Sequence, residues 1–84
     1  MYHFPVKMSI EKEELLLNIG ESFKLVRTTR NLTQVQLAEK LGISDKMISQ
    51  IENGFRPPSA EILKNMAECL NCSADEILGV ERDR

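Results

Sequence analysis

The 84-residue chain has few aromatic side chains, one histidine, two cysteines and no long apolar run. Aromatic residues make up 5% of the sequence and hydrophobic residues 42%, a profile that suits an all-helical bundle better than a β-sandwich. The longest apolar run, residues 15–17, is far shorter than the roughly 20 residues of a membrane span. We therefore expect one soluble, cytoplasmic domain with a small core and no membrane partner.

The two cysteines, Cys69 and Cys72, form an isolated CxxC pair. A zinc site needs about four ligands, and His3, the one histidine, lies far away in the sequence. No strand–helix–strand pattern surrounds the pair to indicate a thioredoxin-like redox motif. We expect both cysteines to be small apolar packing residues, and we expect no metal and no cofactor.

Catalytic patterns are also lacking. The sequence has no constellation of His, Cys and Ser, no phosphate-binding loop and no paired carboxylates in an apolar setting. These are the groups that most enzyme sites require. We therefore expect no enzyme and no small-molecule substrate.

Charge is distributed unevenly along the chain. The formal net charge of −2 argues mildly against a nucleic-acid partner, but the placement of charge decides such binding. Residues 21–32 carry three positive charges and one negative charge, whereas residues 72–84 carry four acids and two arginines. The acidic residues are concentrated at the C-terminus, so the rest of the chain can still form a basic surface.

Apolar periodicity and capping residues predict five short helices. The first runs from about Asn18, or from as early as Ile10, to Arg30. Thr33 begins the second helix with Gln36 in a capping box. The predicted N-caps of the other three helices are Ser44, Ser59 and Ser73, and the breaks between helices include Gly42, Pro57-Pro58 and Gly79. The short connections indicate a compact bundle.

Residues 2–10 alternate between apolar and polar side chains, the pattern of a β-strand. Pro5 would restrict such a strand to a sheet edge, and its partner would have to come from a second chain. The alternative is an irregular arm that packs on the bundle. We therefore divide the chain into an arm that can extend the first helix (1–17), a helical domain (18–79) and an acidic, polar tail (80–84).

The segment SDKMISQIENG, residues 44–54, predicts a helix with two unlike faces. Met47, Ile48 and Ile51 fall on one side at 100° per residue. The other side carries Asp45, Lys46, Ser49, Gln50 and Asn53. Together with the preceding helix and Gly42, this segment forms a helix-turn-helix whose polar face is suited to recognition.

Residues from about Ile19 to Leu78 closely resemble the lambda-repressor-like, Cro/cI-type helix-turn-helix family. The residues that carry the resemblance are Ile19-Gly20, Val26-Arg27, Thr33-Gln34, Leu37-Ala38, Leu41-Gly42, Ile51-Glu52-Asn53-Gly54 and Pro58-Ser59. The resemblance implies an all-α, compact five-helix bundle with the third helix in the major groove of double-stranded DNA. An extended N-terminal arm is added to it here.

The resemblance places the base-reading residues on the third helix. Lys46 can donate to guanine, Gln50 can pair with adenine, and Asp45 can accept from cytosine. Met47 either touches a thymine methyl group or completes the edge of the core.

Other residues match positions that contact the DNA backbone. Gln34 and Asn53 match family phosphate contacts and also suit helix ends, while Arg56 is expected to clamp a phosphate and Ser49 to meet the sugar-phosphate. Phe55 stands where the family often has a basic residue, so that one backbone contact is replaced by an aromatic ring against the sugar or a neighbouring subunit.

Arg27 and Glu52 border the apolar stripes of their helices. In the family these positions form an ion pair between the first and third helices. We therefore expect the pair to have a structural role.

The leading hypothesis is a sequence-specific transcriptional regulator, a repressor, that binds a two-fold operator as a homodimer. The expected dimer interface has two parts, the C-terminal end of the bundle and the N-terminal arm. It comprises Ile77, Leu78, Val80, Tyr2, Phe4 and Val6. Alternatively, the arm folds back over Leu25 and residues 15–17. The alternative function is a protein-interaction module on the same fold, such as an antitoxin or a scaffold.

Overall fold

A computed structural model describes the backbone of residues 4–79 and the side chains of residues 12–79. This part of the chain folds into α-helices joined by short turns, and it contains no strand. The helices are α1 (Phe4–Thr29), α2 (Gln34–Leu41), α3 (Asp45–Glu52), α4 (Ala60–Leu70) and α5 (Ala74–Leu78). The prediction of an all-α, five-helix bundle is confirmed.

Hydroxyl side chains begin the four shorter helices, as the sequence predicts. Thr33 Oγ1 accepts a hydrogen bond from the Gln36 backbone N–H, and Gln36 Oε1 accepts one from the Thr33 N–H. Ser44, Ser59 and Ser73 each accept a hydrogen bond from the backbone N–H three residues on. Each cap supplies a partner for a backbone N–H that has none within its helix.

The first helix is longer than predicted, because α1 begins at Phe4 rather than at Asn18 or Ile10. The strand predicted for residues 2–10 is therefore wrong over residues 4–10, and Tyr2 lies outside the described residues. Pro5 is the second residue of α1, where its missing N–H would have no intrahelical partner anyway. Good helix formers follow it, and a lone strand would have lacked a partner.

The extension of α1 does not cover the apolar residues that follow it. Leu15 is 57% exposed, Leu17 51% and Leu25 62%. The hypothesis that the arm folds back over them is therefore wrong, because residues 4–17 belong to the same continuous helix as the rest of α1. A second copy that packs on this helix stays a prediction.

The core receives side chains from every helix. The buried apolar residues are Phe23, Val26, Leu37, Ala38, Leu41, Ile48, Ile51, Ile62, Met66, Leu70 and Ile77. They include most of the apolar positions that helical periodicity selects. Cys72 packs against this core, whereas Cys69 is exposed, so the expected packing role is wrong for Cys69.

The described residues contain neither a helix able to cross a membrane nor a cluster of side chains able to hold a metal ion. None of the helices has a stretch both long and apolar enough to cross a membrane. Among the described side chains, no group of three or more His, Cys, Asp or Glu residues could hold a metal ion.

Candidate nucleic-acid interface

The turn between α2 and α3 depends on Gly42. Its φ of +71° lies in the left-handed region, which a residue without Cβ adopts at little cost. The Ile43 N–H then donates to Ala38 O at 3.0 Å, and half-buried Ile43 packs against the core. Ala38 itself is 4% exposed and has a small side chain, so α2 and α3 can pack closely. This geometry fixes the angle at which α3 leaves the turn.

The two faces of α3 lie in very different environments. Ile48 and Ile51 are fully buried, and half-buried Met47 packs against the core edge. Asp45 and Lys46 are exposed at the first turn. The buried face fixes the orientation of α3 about its own axis. The first turn of α3 therefore projects both charged side chains away from the bundle.

The second turn of α3 continues the same polar surface. Gln50 and Ser49 are half-buried, and exposed Asn53 donates through Nδ2 to Ser49 Oγ at 3.3 Å. Asn53 has φ −90°, and the left-handed residue at this helix end is Gly54, with φ +79°. The fold thus places Asp45, Lys46 and Gln50 on the polar face of α3, whereas Met47 lies where that face meets the core.

The loop after α3 adds a cation and an aromatic ring beside this surface. Arg56 is exposed, and Phe55, at 76%, is the most exposed large hydrophobic residue within residues 12–79. Gly54 lies against Leu17 of α1, because a Cβ at Gly54 would stand 2.8 Å from Leu17 Cδ2. The loop is therefore held close to α1, while both side chains that follow Gly54 face solvent.

Arg27 and Glu52 form a bidentate ion pair between α1 and α3. Arg27 Nε donates to Glu52 Oε2 at 2.6 Å, and Nη2 donates to Oε1 at 3.0 Å. Arg27 Nη1 donates to the Leu32 carbonyl at 2.7 Å, which ties in the loop before α2. Each residue is only 8% exposed. Planar two-point pairing of this kind is both strong and directional.

Gln34 extends this ion pair to α2, a connection that the sequence did not predict. Its Nε2 donates to Glu52 Oε1 at 3.0 Å, so Glu52 is bonded to both α1 and α2. Gln34 is the first residue of α2 and is half-buried. The two residues are 18 positions apart on different helices, so no local pattern could have indicated their contact.

Gly20 is a second residue whose role sequence reasoning missed. A Cβ at this position would lie 2.5 Å from Glu52 O and 2.6 Å from Ile51 O. Glycine therefore allows α1 to lie directly against the carbonyl end of α3. A glycine inside a helix costs about 1 kcal/mol relative to alanine, so its position was itself a signal of close approach.

The residues predicted for a dimer interface lie in different environments. Ile77 is fully buried in the core of its own chain and has no surface to offer a second copy, so that part of the prediction is wrong. Leu78 is half-buried. Phe4 and Val6 lie in the first turns of α1, and Val80, like Tyr2, is outside the described residues.

The CxxC pair lies at the end of α4. Burial raises the pKa of the Cys72 thiol; the Arg30 charge opposes the rise and the Glu76 charge adds to it. A reactive cysteine needs a lowered pKa. Cys72 therefore has the character of a packing residue.

Comparisons with known proteins point to the same part of the chain. A helix-turn-helix family model matches residues 23–77. The uncharacterized HTH-type transcriptional regulator YazB of Bacillus subtilis (strain 168) is 40% identical over 63 residues, which cover 75% of this chain and 91% of YazB. The immunity repressor protein of Bacillus phage phi105 is 37% identical over 65 residues, which cover 77% of this chain and 45% of the repressor.

A solved structure shares the arrangement of helices. The restriction-modification controller protein C.AhdI from Aeromonas hydrophila superposes with a TM-score of 0.69 and 26% sequence identity. The match covers 74% of this chain and 94% of the controller protein. The chain spans about two fifths of the length of other curated relatives that it matches.

Proposed function

Because the chain belongs to the Cro/cI-type helix-turn-helix family, we propose that it is a sequence-specific, DNA-binding regulator of transcription. The observation that carries the proposal is the polar surface of α3, held outward by the fully buried Ile48 and Ile51. A helix of this diameter fits the major groove of double-stranded DNA. In this motif the start of the second helix meets base edges, and the first crosses the backbone.

The first two turns of α3 carry the proposed base contacts. Exposed Lys46 donates to guanine O6 or N7, and Gln50 pairs with the N6 and N7 atoms of adenine. Asp45 accepts from cytosine N4 and also suits the helix N-terminus. Met47 is half-buried, so it offers only an edge to a thymine methyl group.

The proposed backbone contacts flank these base contacts. Gln34 lies at the start of α2, Ser49 and Asn53 on the second turn of α3, and Arg56 in the loop beyond it. Arg56 contributes a full charge, whereas the other three are uncharged donors whose hydrogen bonds to phosphates fix the register of the protein on the duplex. Phe55 packs its exposed ring on a deoxyribose or on a neighbouring subunit.

A homodimer on a two-fold operator completes the proposal. One module of this size makes few contacts, and pairing doubles them at half-sites about 34 Å apart. Leu78 and the N-terminal half of α1 supply the contact between copies, without Ile77. Such a dimer represses transcription by occupying its operator, and it acts in the cytoplasm, where that DNA lies.

The second candidate function is a protein-interaction module on the same fold. The observations that favour it are the net charge of −2 and the 76% exposure of Phe55. A protein partner would bind with a weak dependence on salt, since few counterions would be released. Salt dependence therefore separates the two functions.

The test begins with selection of bound duplexes from random DNA. Binding to the selected duplex is then measured by fluorescence anisotropy at several salt concentrations. If a dimer neutralises about six phosphates, log K against log salt should have a slope near −5. Failure to enrich any duplex, or a slope near zero for the duplex that is enriched, contradicts the proposal.

A matched pair of lysine variants sharpens this test. Lys46→Ala should weaken binding and relax the preference at one base pair, because Lys46 lies on the proposed reading surface. Lys64→Ala removes the same charge from an exposed position on α4 and should leave the base preference unchanged. Equal effects of both variants on base preference would contradict the assignment of α3 as the reading helix.

A further inference from the structure

Glu52 holds the side-chain amide of Gln34 in one orientation. A carboxylate can only accept hydrogen bonds, so the Gln34 group at 3.0 Å from Glu52 Oε1 must be its NH₂. The NH₂ group has a second N–H that does not face Glu52. An unrestrained glutamine amide could instead turn its carbonyl oxygen outward.

Glu52 is itself held in place by Arg27. Both carboxylate oxygens accept from the guanidinium, at 2.6 and 3.0 Å, and the side chains of Arg27 and Glu52 are 9% and 3% exposed. The bidentate geometry fixes the plane of the carboxylate. The positive charge of Arg27 also offsets the negative charge of Glu52, which would otherwise repel a nearby phosphate.

Gln34 itself stands at a helix end that is suited to an anion. Gln34 is the first residue of α2, where backbone N–H groups lack intrahelical partners and the helix dipole favours negative charge. An N–H donor that points outward from this helix end adds to the positive potential of the helix dipole. A carbonyl oxygen directed outward would oppose it.

We infer that Glu52 is a positioning residue for DNA binding: it orients the Gln34 amide so that a donor, rather than an acceptor, meets a backbone phosphate. This inference rests on the proposed function. The ion pair thus has a second role besides joining α1 to α3. It makes Gln34 a phosphate contact that is already oriented before DNA arrives.

The test is a double-mutant cycle on affinity for the selected duplex. Gln34→Ala is measured in the wild-type chain and in the Arg27→Met/Glu52→Met chain, which removes the acceptor without changing net charge. Gln34→Ala should weaken DNA binding by the wild-type dimer about a hundredfold, which is about tenfold for the one charged hydrogen bond lost in each subunit. In the chain without the ion pair it should weaken binding about twofold or less, because the amide is no longer oriented.

A matched control removes one charge of each sign elsewhere. Lys64→Gln/Glu68→Gln changes two exposed residues of α4, and Gln34→Ala should keep its full effect in this chain. The slope of log K against log salt should not change with Gln34→Ala, since a neutral side chain releases no counterion. An equal effect of Gln34→Ala in all three chains, or no effect in the wild type, overturns the inference.

The outcomes distinguish this inference from the function on which it rests. If the wild-type chain binds no duplex, the proposed function fails. If it binds and the cycle shows no coupling, only the role of Glu52 fails.

A second measurement covers the case in which Arg27→Met/Glu52→Met does not fold. The side-chain amide resonances of Gln34 in wild-type protein are identified by NMR from their loss in Gln34→Ala. They should lie apart from those of Gln36, whose NH₂ group is exposed, and one of the two protons should shift when DNA is added. Coincidence of the Gln34 and Gln36 amide signals in the free protein overturns the inference.

Discussion

Replacing Glu52 with alanine should destabilise the fold itself. The substitution leaves the Arg27 guanidinium, whose side chain is 9% exposed, without its carboxylate partner. It also removes the acceptor of Gln34 Nε2. The Arg27 guanidinium would keep one described hydrogen bond, from Nη1 to the Leu32 carbonyl. A guanidinium in this position is poorly hydrated. Without Glu52 it loses most of the hydrogen bonds that offset the cost of burying its charge.

The expected loss is large for a domain of this size. Breaking one side of a buried ion pair costs about 3–5 kcal/mol. A domain of 84 residues has a free energy of unfolding of about 4–13 kcal/mol. Since each kcal/mol shifts the melting temperature of such a domain by about 4–8 °C, Glu52→Ala should melt at least ~12 °C lower.

Thermal unfolding followed by circular dichroism measures this loss. The matched control is Arg27→Met/Glu52→Met, which removes both charges and keeps apolar side chains of similar length. Buried pairs replaced in this way are often neutral in stability, so the control should melt close to the wild type. An unchanged midpoint in Glu52→Ala would refute the reasoning. Equal destabilisation of both variants would show that packing, rather than the unpaired charge, is responsible.

Three further predictions follow from the same structure. Gly20→Ala should destabilise the fold by about 1–3 kcal/mol despite the better helix propensity of alanine, because its Cβ meets carbonyl oxygens of α3 at 2.5 and 2.6 Å; a raised melting temperature would contradict this. Gln50→Ala should cost about 1–3 kcal/mol at the preferred DNA site and relax the preference at one base pair of the half-site, whereas Arg56→Ala should weaken binding to all sequences alike and reduce the steepness of the salt slope by about two, one for each subunit of the dimer. Identical behaviour of the two variants in binding assays would show that the division into base reader and phosphate clamp is wrong. Deleting residues 1–9 should weaken dimerisation measured by light scattering, and a truncated chain that dimerises as tightly as the full chain would exclude residues 1–9 from the interface.

The N-terminal segment shows how one sequence pattern can fit two structures. Alternation of apolar and polar residues over positions 2–10 favours a strand, but a strand needs a neighbour for its backbone hydrogen bonds. A helix satisfies those groups within the segment itself. Residues 4–10 therefore form the start of α1.

Local signals by themselves determined the division of the chain into helices and the polar face of α3. Thr33 and Ser44 cap their helices through N–H groups three residues away, and Gly42 ends α2 through its own backbone conformation. Each of these signals acts within one helical turn, so the amino-acid order is enough to reveal it. Helical periodicity likewise placed Ile48 and Ile51 in the core and left the other side of α3 for recognition.

Only the tertiary structure decided which residues meet across helices. The burial of Ile77, the hydrogen bond from Gln34 to Glu52 and the approach of Gly20 to the end of α3 all depend on how helices distant in sequence pack. An apolar residue near a chain end suits a dimer interface and a core equally well, and a glutamine at a helix start suits solvent, a phosphate or a carboxylate. The choice among them follows from the positions of neighbouring helices, which no pattern within one helical turn contains.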